Sequence, residues 1–132
     1  MARDYLSTHA NKKYEVIGGY LSPVSDGYLK KGLLSANHRI GMCQKALENC
    51  DWLEVDAWEA QQPAWTRTSL VLASVEERLN KPEILKAYTN GRKIQVMLVS
   101  GGDLVGSFLT PGLWDPNDVC HLFLFLLFVF RL

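Results

Sequence analysis

At 132 residues with 48% hydrophobic content, the chain is long enough for one domain around one core. Lys+Arg 14 against Asp+Glu 14 leaves no net charge, which excludes a nucleic-acid binder relying on bulk phosphate attraction but leaves room for a small cationic site. Cys43, Cys50 and Cys120 lack Cys-x-x-Cys spacing and His9, His38 and His121 are scattered, so no metal cluster is legible and the thiols suit a reducing compartment.

In chain order, Met1 to about His9 reads as the end of a helix. Arg3, Asp4, Asn11, Lys12 and Lys13 make this stretch polar, unlike a secretory signal, and an intracellular protein, cytoplasmic or nuclear, is expected. Tyr14–Ser22 reads as a strand of β-branched and aromatic residues, and Gly18-Gly19 inside it marks close backbone approach or a bulge. Pro23–Leu34 is a turn-rich loop. Ser35 is a natural N-cap for a helix over Ala36–Asn49, in which Ile40, Cys43, Leu47 and Cys50 recur at helical spacing. Trp52–Asp56 is a short strand. Pro63 suits the first turn of a helix over about Pro63–Leu79, with Trp65, Leu72, Val75 and Leu79 as its buried stripe. Lys81–Lys93, with Pro82, Asn90 and Gly91, reads as a loop. Ile94–Val99 is a short, evenly apolar strand, followed by the turn Ser100–Asp103, a helical run Leu104–Leu109 and the stop Pro111–Trp114. Helices alternate with strands, which predicts an α/β fold with a parallel sheet and right-handed crossovers.

In a parallel sheet the loops after the strands gather at one edge, where nucleotides are commonly held. After the first strand come Tyr28, Lys30 and Lys31, and adjacent lysines can hold phosphate as point charges. After the second come Trp58, Glu59, Trp65 and Thr68. Placed three apart on one helix, Trp65 and Thr68 would share a face, where an indole can stack on a flat cationic ring. Asp56 reads as a strand-end cap and Glu59 as structural. After the third come Gly101, Asp103, Leu113 and Trp114, with Asp103 at a helix start, where a carboxylate is favourable and can accept hydrogen bonds from a ribose. Singly, each is ordinary turn, loop or core content. Together they are the inventory of a mononucleotide site.

Three runs carry a more specific likeness: Gly18–Arg39 (GGYLSPVSDGYLKKGLLSANHR), Asp51–Thr68 (DWLEVDAWEAQQPAWTRT) and Val96–Trp114 (VMLVSGGDLVGSFLTPGLW). In these runs, and in Ala2–Leu6, the chain resembles the eukaryotic nicotinamide/nicotinic acid mononucleotide adenylyltransferases. The resemblance implies a Rossmann-like nucleotidyltransferase sheet with flanking helices. It also implies adenylyl transfer from ATP, with Mg2+, to nicotinamide or nicotinic acid mononucleotide in NAD biosynthesis. Carried over, Trp65 and Trp114 would contact the pyridine ring, and Tyr28, Lys30, Thr68 and Leu113 would line the mononucleotide pocket. Lys31 would meet the ATP phosphates, and Gly101 and Asp103 the adenosine ribose. Leu29 stands where relatives often carry a basic residue or glycine.

The family pattern also has an opening strand with a Gly-x-Phe-x-Pro turn and a His, and a later Ser-Ser-Thr-x-x-Arg signature. Neither lies within Met1–Leu132, so no catalytic residue is carried over and no protein metal ligand is named. The expectation is therefore a partial nucleotidyltransferase domain over residues 1–120, truncated relative to the family and lacking the central first strand. Exposed ladder edges and marginal stability would follow. The tail 121–132, with its apolar run Leu122–Phe130, is shorter than the about 20 residues of a membrane span and reads as a buried strand or an unrelated segment. The competing reading is a non-catalytic chain that binds the mononucleotide or associates, with itself or with full-length subunits, through those edges.

Overall fold

The computed structural model describes residues 2–8 and 15–119. The early stretch 9–14, Cys120 and the 121–132 tail lie outside them, as do His9, His121 and the start of the expected Tyr14–Ser22 strand. The chain divides into two compact units, Met1–Thr66 and Arg67–Leu132.

The first unit holds α1 (Ala2–Thr8), β1 (Gly19–Leu21), a 3-10 turn at Asp26–Tyr28, α2 (Ala36–Ala46), β2 (Leu53–Val55) and a second 3-10 turn at Glu59–Gln61. β1 and β2 pair in parallel, Gly19 with Leu53, Tyr20 with Glu54 and Leu21 with Val55. The ladder runs one bond past each end, from Gly19 N to Trp52 O and from Asp56 N to Leu21 O, both 2.9 Å. Parallel strands joined through a helix are the expected α/β unit, and their carboxyl ends share one edge. α2 begins where the cap predicts: Ser35 Oγ accepts the His38 N–H at 3.4 Å, satisfying one of the first-turn donors. Ile40, Cys43, Leu47 and Cys50 are each half-buried, while Ala36 is the buried residue of the helix.

The second unit holds α3 (Thr68–Leu79), α4 (Pro82–Thr89) and α5 (Gly102–Ser107). Its centre is Leu72, with Val96, Leu98, Val105, Phe108 and Trp114 packed around it. Val71 and Val75 are buried on the same helix, as the expected stripe of Leu72 and Val75 requires.

Four sequence expectations change here. The helix expected from Pro63 begins five residues later, at Thr68, because the chain before it is held extended: Arg67 has φ −63° and ψ 141°. Trp65 is consequently not on a helix and shares no helix face with Thr68, and at 51% exposure it is not part of the buried stripe. The expected loop Lys81–Lys93 contains α4. Pro82 occupies its first turn, where the missing N–H is no loss, and Asn90 ends it in the left-handed region at φ 53°. The segment Ile94–Val99 does not join the sheet. A ladder needs a neighbouring strand, and the second unit supplies only helices among the described residues. The buried backbone of Ile94 pairs instead with one side-chain amide: Asn80 Nδ2 donates to Ile94 O and Ile94 N donates to Asn80 Oδ1, both 2.9 Å. Last, α5 starts and stops two residues earlier than Leu104–Leu109.

Candidate functional site

Parallel pairing puts Ser22 and Asp56, the residues after β1 and β2, at one edge of the first unit. Two side chains stitch the loops that leave it. Ser22 Oγ donates to Glu59 Oε2 at 2.8 Å, and Ser25 Oγ, fully buried, donates to Ala64 O at 3.1 Å. Gly27 then lies against the backbone of Ala64 and Trp65, so closely that a Cβ there would stand 2.6 Å from Trp65 N. The turn carrying Tyr28 is thus pressed onto the segment carrying Trp65, and both rings remain about half exposed, at 50% and 51%. The contact also explains the extended stretch before α3: residues 64 and 65 are fixed from outside.

The same loop continues through Lys30 and Lys31, both exposed, in a turn closed by Leu33 N donating to Lys30 O at 3.0 Å. Its base is tied by Arg39 on α2. Arg39 Nη1 donates to Val24 O at 2.6 Å, Nε to Leu34 O at 2.8 Å and Nη2 to Asp26 Oδ1 at 2.9 Å. Asp26 also accepts the Ala36 N–H, and that bond and the Arg39 guanidinium hold its carboxyl below the usual carboxylate range. Asp56 is the strand-end cap expected of it: its Oδ1 accepts the Trp58 N–H at 3.1 Å. Glu59 is half-buried, and burial pushes its carboxyl above the usual range. Nearby Asp56 adds to the rise, while Ser22 and Arg39 oppose it.

The second unit gathers the other expected residues. Trp114 is locked by its indole N–H, which donates to Ser107 Oγ at 3.0 Å, and by Phe108, edge-on at 4.9 Å between centroids. Thr68 is flanked by two residues that reach the segment following Trp114. Arg67 Nη1 lies 3.1 Å from Asp118 Oδ2 and 3.7 Å from Asp115 Oδ2, and Ser69 Oγ donates to Asp118 Oδ1 at 2.7 Å. Leu113, next to Trp114, is 60% exposed. Gly101 caps α5, and the Asp103 carboxylate folds back over it, 2.5 Å from where a Cβ of residue 101 would be. Beside them Ser100 Oγ is shielded from solvent and has no hydrogen-bond partner among the described residues.

Tyr28, Lys30, Lys31 and Trp65 therefore belong to one unit, and Thr68, Gly101, Asp103, Leu113 and Trp114 to the other. Sequence reasoning missed Arg39, Ser22 and Ser25 as builders of the first group, and Arg67, Ser69 and Asp118 as builders of the second. The signal they carried was membership of the family-like runs: Ser22, Ser25 and Arg39 fall in Gly18–Arg39 and Arg67 in Asp51–Thr68, while Ser69 and Asp118 fall outside the three runs. Among the described residues no group of three or more His, Cys, Asp or Glu side chains is placed to hold a metal ion, and no helix is long and apolar enough to cross a membrane.

Comparison with known proteins adds two findings. The cytidylyltransferase-like family model matches residues 3–124. A nicotinamide/nicotinic acid mononucleotide adenylyltransferase of Oryza sativa subsp. japonica is 44% identical over 119 residues, which are 90% of this chain and 45% of the relative. The Arabidopsis thaliana protein of the same name is 43% identical over 90% of this chain and 47% of its own length. Nicotinamide/nicotinic acid mononucleotide adenylyltransferase 1 of Saccharomyces cerevisiae is 44% identical over 92% of this chain and 31% of its own length. The chain thus spans less than half the length of these relatives.

Proposed function

This chain belongs to the cytidylyltransferase-like family, and from that premise we propose that it serves adenylyl transfer from ATP to nicotinamide or nicotinic acid mononucleotide, forming the dinucleotide. The observation that carries the reading is the clasp at the carboxyl edge of the parallel pair. There the Ser25–Tyr28 turn is bonded and packed onto Ala64–Trp65, and two half-exposed aromatic rings flank a loop bearing two lysines. The names of the similar relatives support the same chemistry.

In the proposed reaction the 5′-phosphate oxygen of the mononucleotide attacks the α-phosphorus of ATP, and the bond to the bridging oxygen breaks, releasing pyrophosphate. No covalent enzyme intermediate is needed, so the chain's residues position groups and offset charge. Trp65 and Trp114 are the indoles that the family resemblance implies for the pyridine ring, whose positive charge favours an indole face. Tyr28 and Lys30 on the first unit, and Thr68 and Leu113 on the second, are the residues that the resemblance implies for the mononucleotide. The Lys31 ammonium meets the ATP phosphates, and Gly101 and Asp103 meet the adenosine ribose. Magnesium would arrive as the ATP complex. Among the described residues no group of three or more His, Cys, Asp or Glu side chains is placed to hold it.

The test is NAD formation by the purified chain with ATP, magnesium and mononucleotide, read by a coupled NAD-dependent dehydrogenase, beside calorimetric titration with the mononucleotide alone. Turnover that falls on Lys31→Ala, with mononucleotide affinity falling on Trp65→Ala by about 2–30-fold, the worth of one cation–π stack, is the expected result. Mononucleotide binding without turnover identifies a non-catalytic binding or subunit-interaction chain and overturns the catalytic reading. Absence of both signals overturns the nucleotide assignment.

A further inference from the structure

We infer that Arg39 is a positioning residue that sets the shape of the loop carrying Tyr28, Lys30 and Lys31. This inference deepens the proposed function and rests on it for the identity of the ligand. The three acceptors of the Arg39 guanidinium lie on both ends of that loop: Val24 O and Asp26 Oδ1 on the way out, Leu34 O on the way back. Its side chain is only 14% exposed, although the Asp26 side chain it holds is 60% exposed. A planar fork with fixed donors can bridge three acceptors at once, which a lysine ammonium on a flexible stem cannot reproduce. Between the two anchored ends Gly27 packs on Ala64 and Trp65, and the stretch beyond it that carries the lysines is closed by short turn bonds such as Leu33 N to Lys30 O. Lys30 and Lys31 are solvent-facing, and the turn at Leu29 takes a left-handed backbone at φ 53° without a glycine. Loops of this kind open locally at small cost unless tied. α2 is itself anchored beside β2, so a tie from α2 transmits the position of the sheet to the lysines. Arg39 acts through the loop and not on the ligand.

The test uses the full chain, with Arg39→Met, Arg39→Lys and Asp26→Asn. A lysine-specific protease reports on the loop directly. Cleavage after Lys30 or Lys31 is compared with cleavage after Lys86 in α4, which lies in the other unit. Arg39→Met is expected to speed cleavage at Lys30 and Lys31 by about tenfold with Lys86 unchanged, in line with loss of charge-assisted bonds. Arg39→Lys is expected between Met and wild type, and Asp26→Asn about threefold faster than wild type. In calorimetry the mononucleotide affinity should fall in the same order. If Arg39→Met unfolds the chain, Lys86 is cut faster as well, and Arg39→Lys and Asp26→Asn then decide. Cleavage at Lys30 and Lys31 unchanged in both would overturn the inference. If wild type binds no mononucleotide, the functional reading fails while the protease comparison still judges the role of Arg39 in the loop.

Discussion

Gly27→Ala is the most direct challenge to the clasp between the Tyr28 turn and the Trp65 segment. The added methyl would lie 2.6 Å from Trp65 N and 2.8 Å from both the carbonyl carbon and the Cα of Ala64, all backbone atoms that no rotamer change can move aside. Ordinary contact needs about 3.5 Å, so the two backbones must part by roughly 1 Å. Forced separation of packed groups costs about 1–3 kcal/mol. The 3.1 Å bond from Ser25 Oγ to Ala64 O would lengthen with it, adding about 0.5–1.5 kcal/mol. The total, about 1.5–4.5 kcal/mol, corresponds to a melting temperature lower by roughly 5–17 °C for a chain of this size. Circular dichroism melts of wild type, Gly27→Ala, Ser25→Ala and the double variant form the assay. Because both substitutions act on one contact, the double variant should lose less than the sum of the singles. Gly27→Ala melting within about 0.5 kcal/mol of wild type, or strict additivity in the cycle, would refute the contact and with it the arrangement from which the function is argued.

Three other outcomes are expected. Leu29 is 86% exposed at φ 53°; a left-handed non-glycine residue costs about 1–2 kcal/mol, against about 0.5–1 kcal/mol of extra chain entropy for glycine, so Leu29→Gly should stabilise by up to about 1.5 kcal/mol in urea unfolding. Asn80→Ala leaves the buried N–H and C=O of Ile94 without their amide partner, so a loss of about 2–4 kcal/mol is expected, with faster hydrogen exchange at the Ile94 amide as its local signature. Glu59 has its carboxyl raised mainly by burial. The sign follows: a raised folded value means the protonated form is favoured in the fold, so this contribution is full below the ordinary glutamate range and is lost as pH rises through the raised value. Glu59→Gln keeps an acceptor for Ser22 and removes the ionisation. Its melting temperature should exceed wild type at pH 7, and the advantage should vanish as pH falls through the carboxylate range.

How much of this was legible in the sequence depended on the range of the deciding contact. Ser35 could be read as a cap because its partner, the His38 N–H, is three residues away. The Trp52–Asp56 stretch reads as a strand from its own residues and forms one at Leu53–Val55, and the convergence of the loops after β1 and β2 followed from parallel pairing alone. The two prolines show the opposite case. Pro63 was read as a helix start and Pro82 as a loop, and each took the other role. Nothing local separates them. What holds residues 64 and 65 out of a helix is Ser25 and Gly27, nearly forty positions earlier. Pro82 has no such constraint and simply starts α4, which Asn90 closes. Ile94–Val99 shows the same limit: an apolar run makes a strand only where a partner strand meets it, and here Ile94 is buried while Val99 is 67% exposed. The expected site residues are recognised by residue type and by their place in the family-like runs, both of which the sequence shows directly. Arg39 and Ser22 act through bonds that reach 13, 15 and 37 positions away, so their role was invisible until the chain was folded; Glu59 reads as structural, but its partner Ser22 does not show in the sequence. The proposed nucleotide site is therefore legible through its expected contact residues but depends on ones that sequence pattern passes over, and the substitutions that test it best fall on the second set.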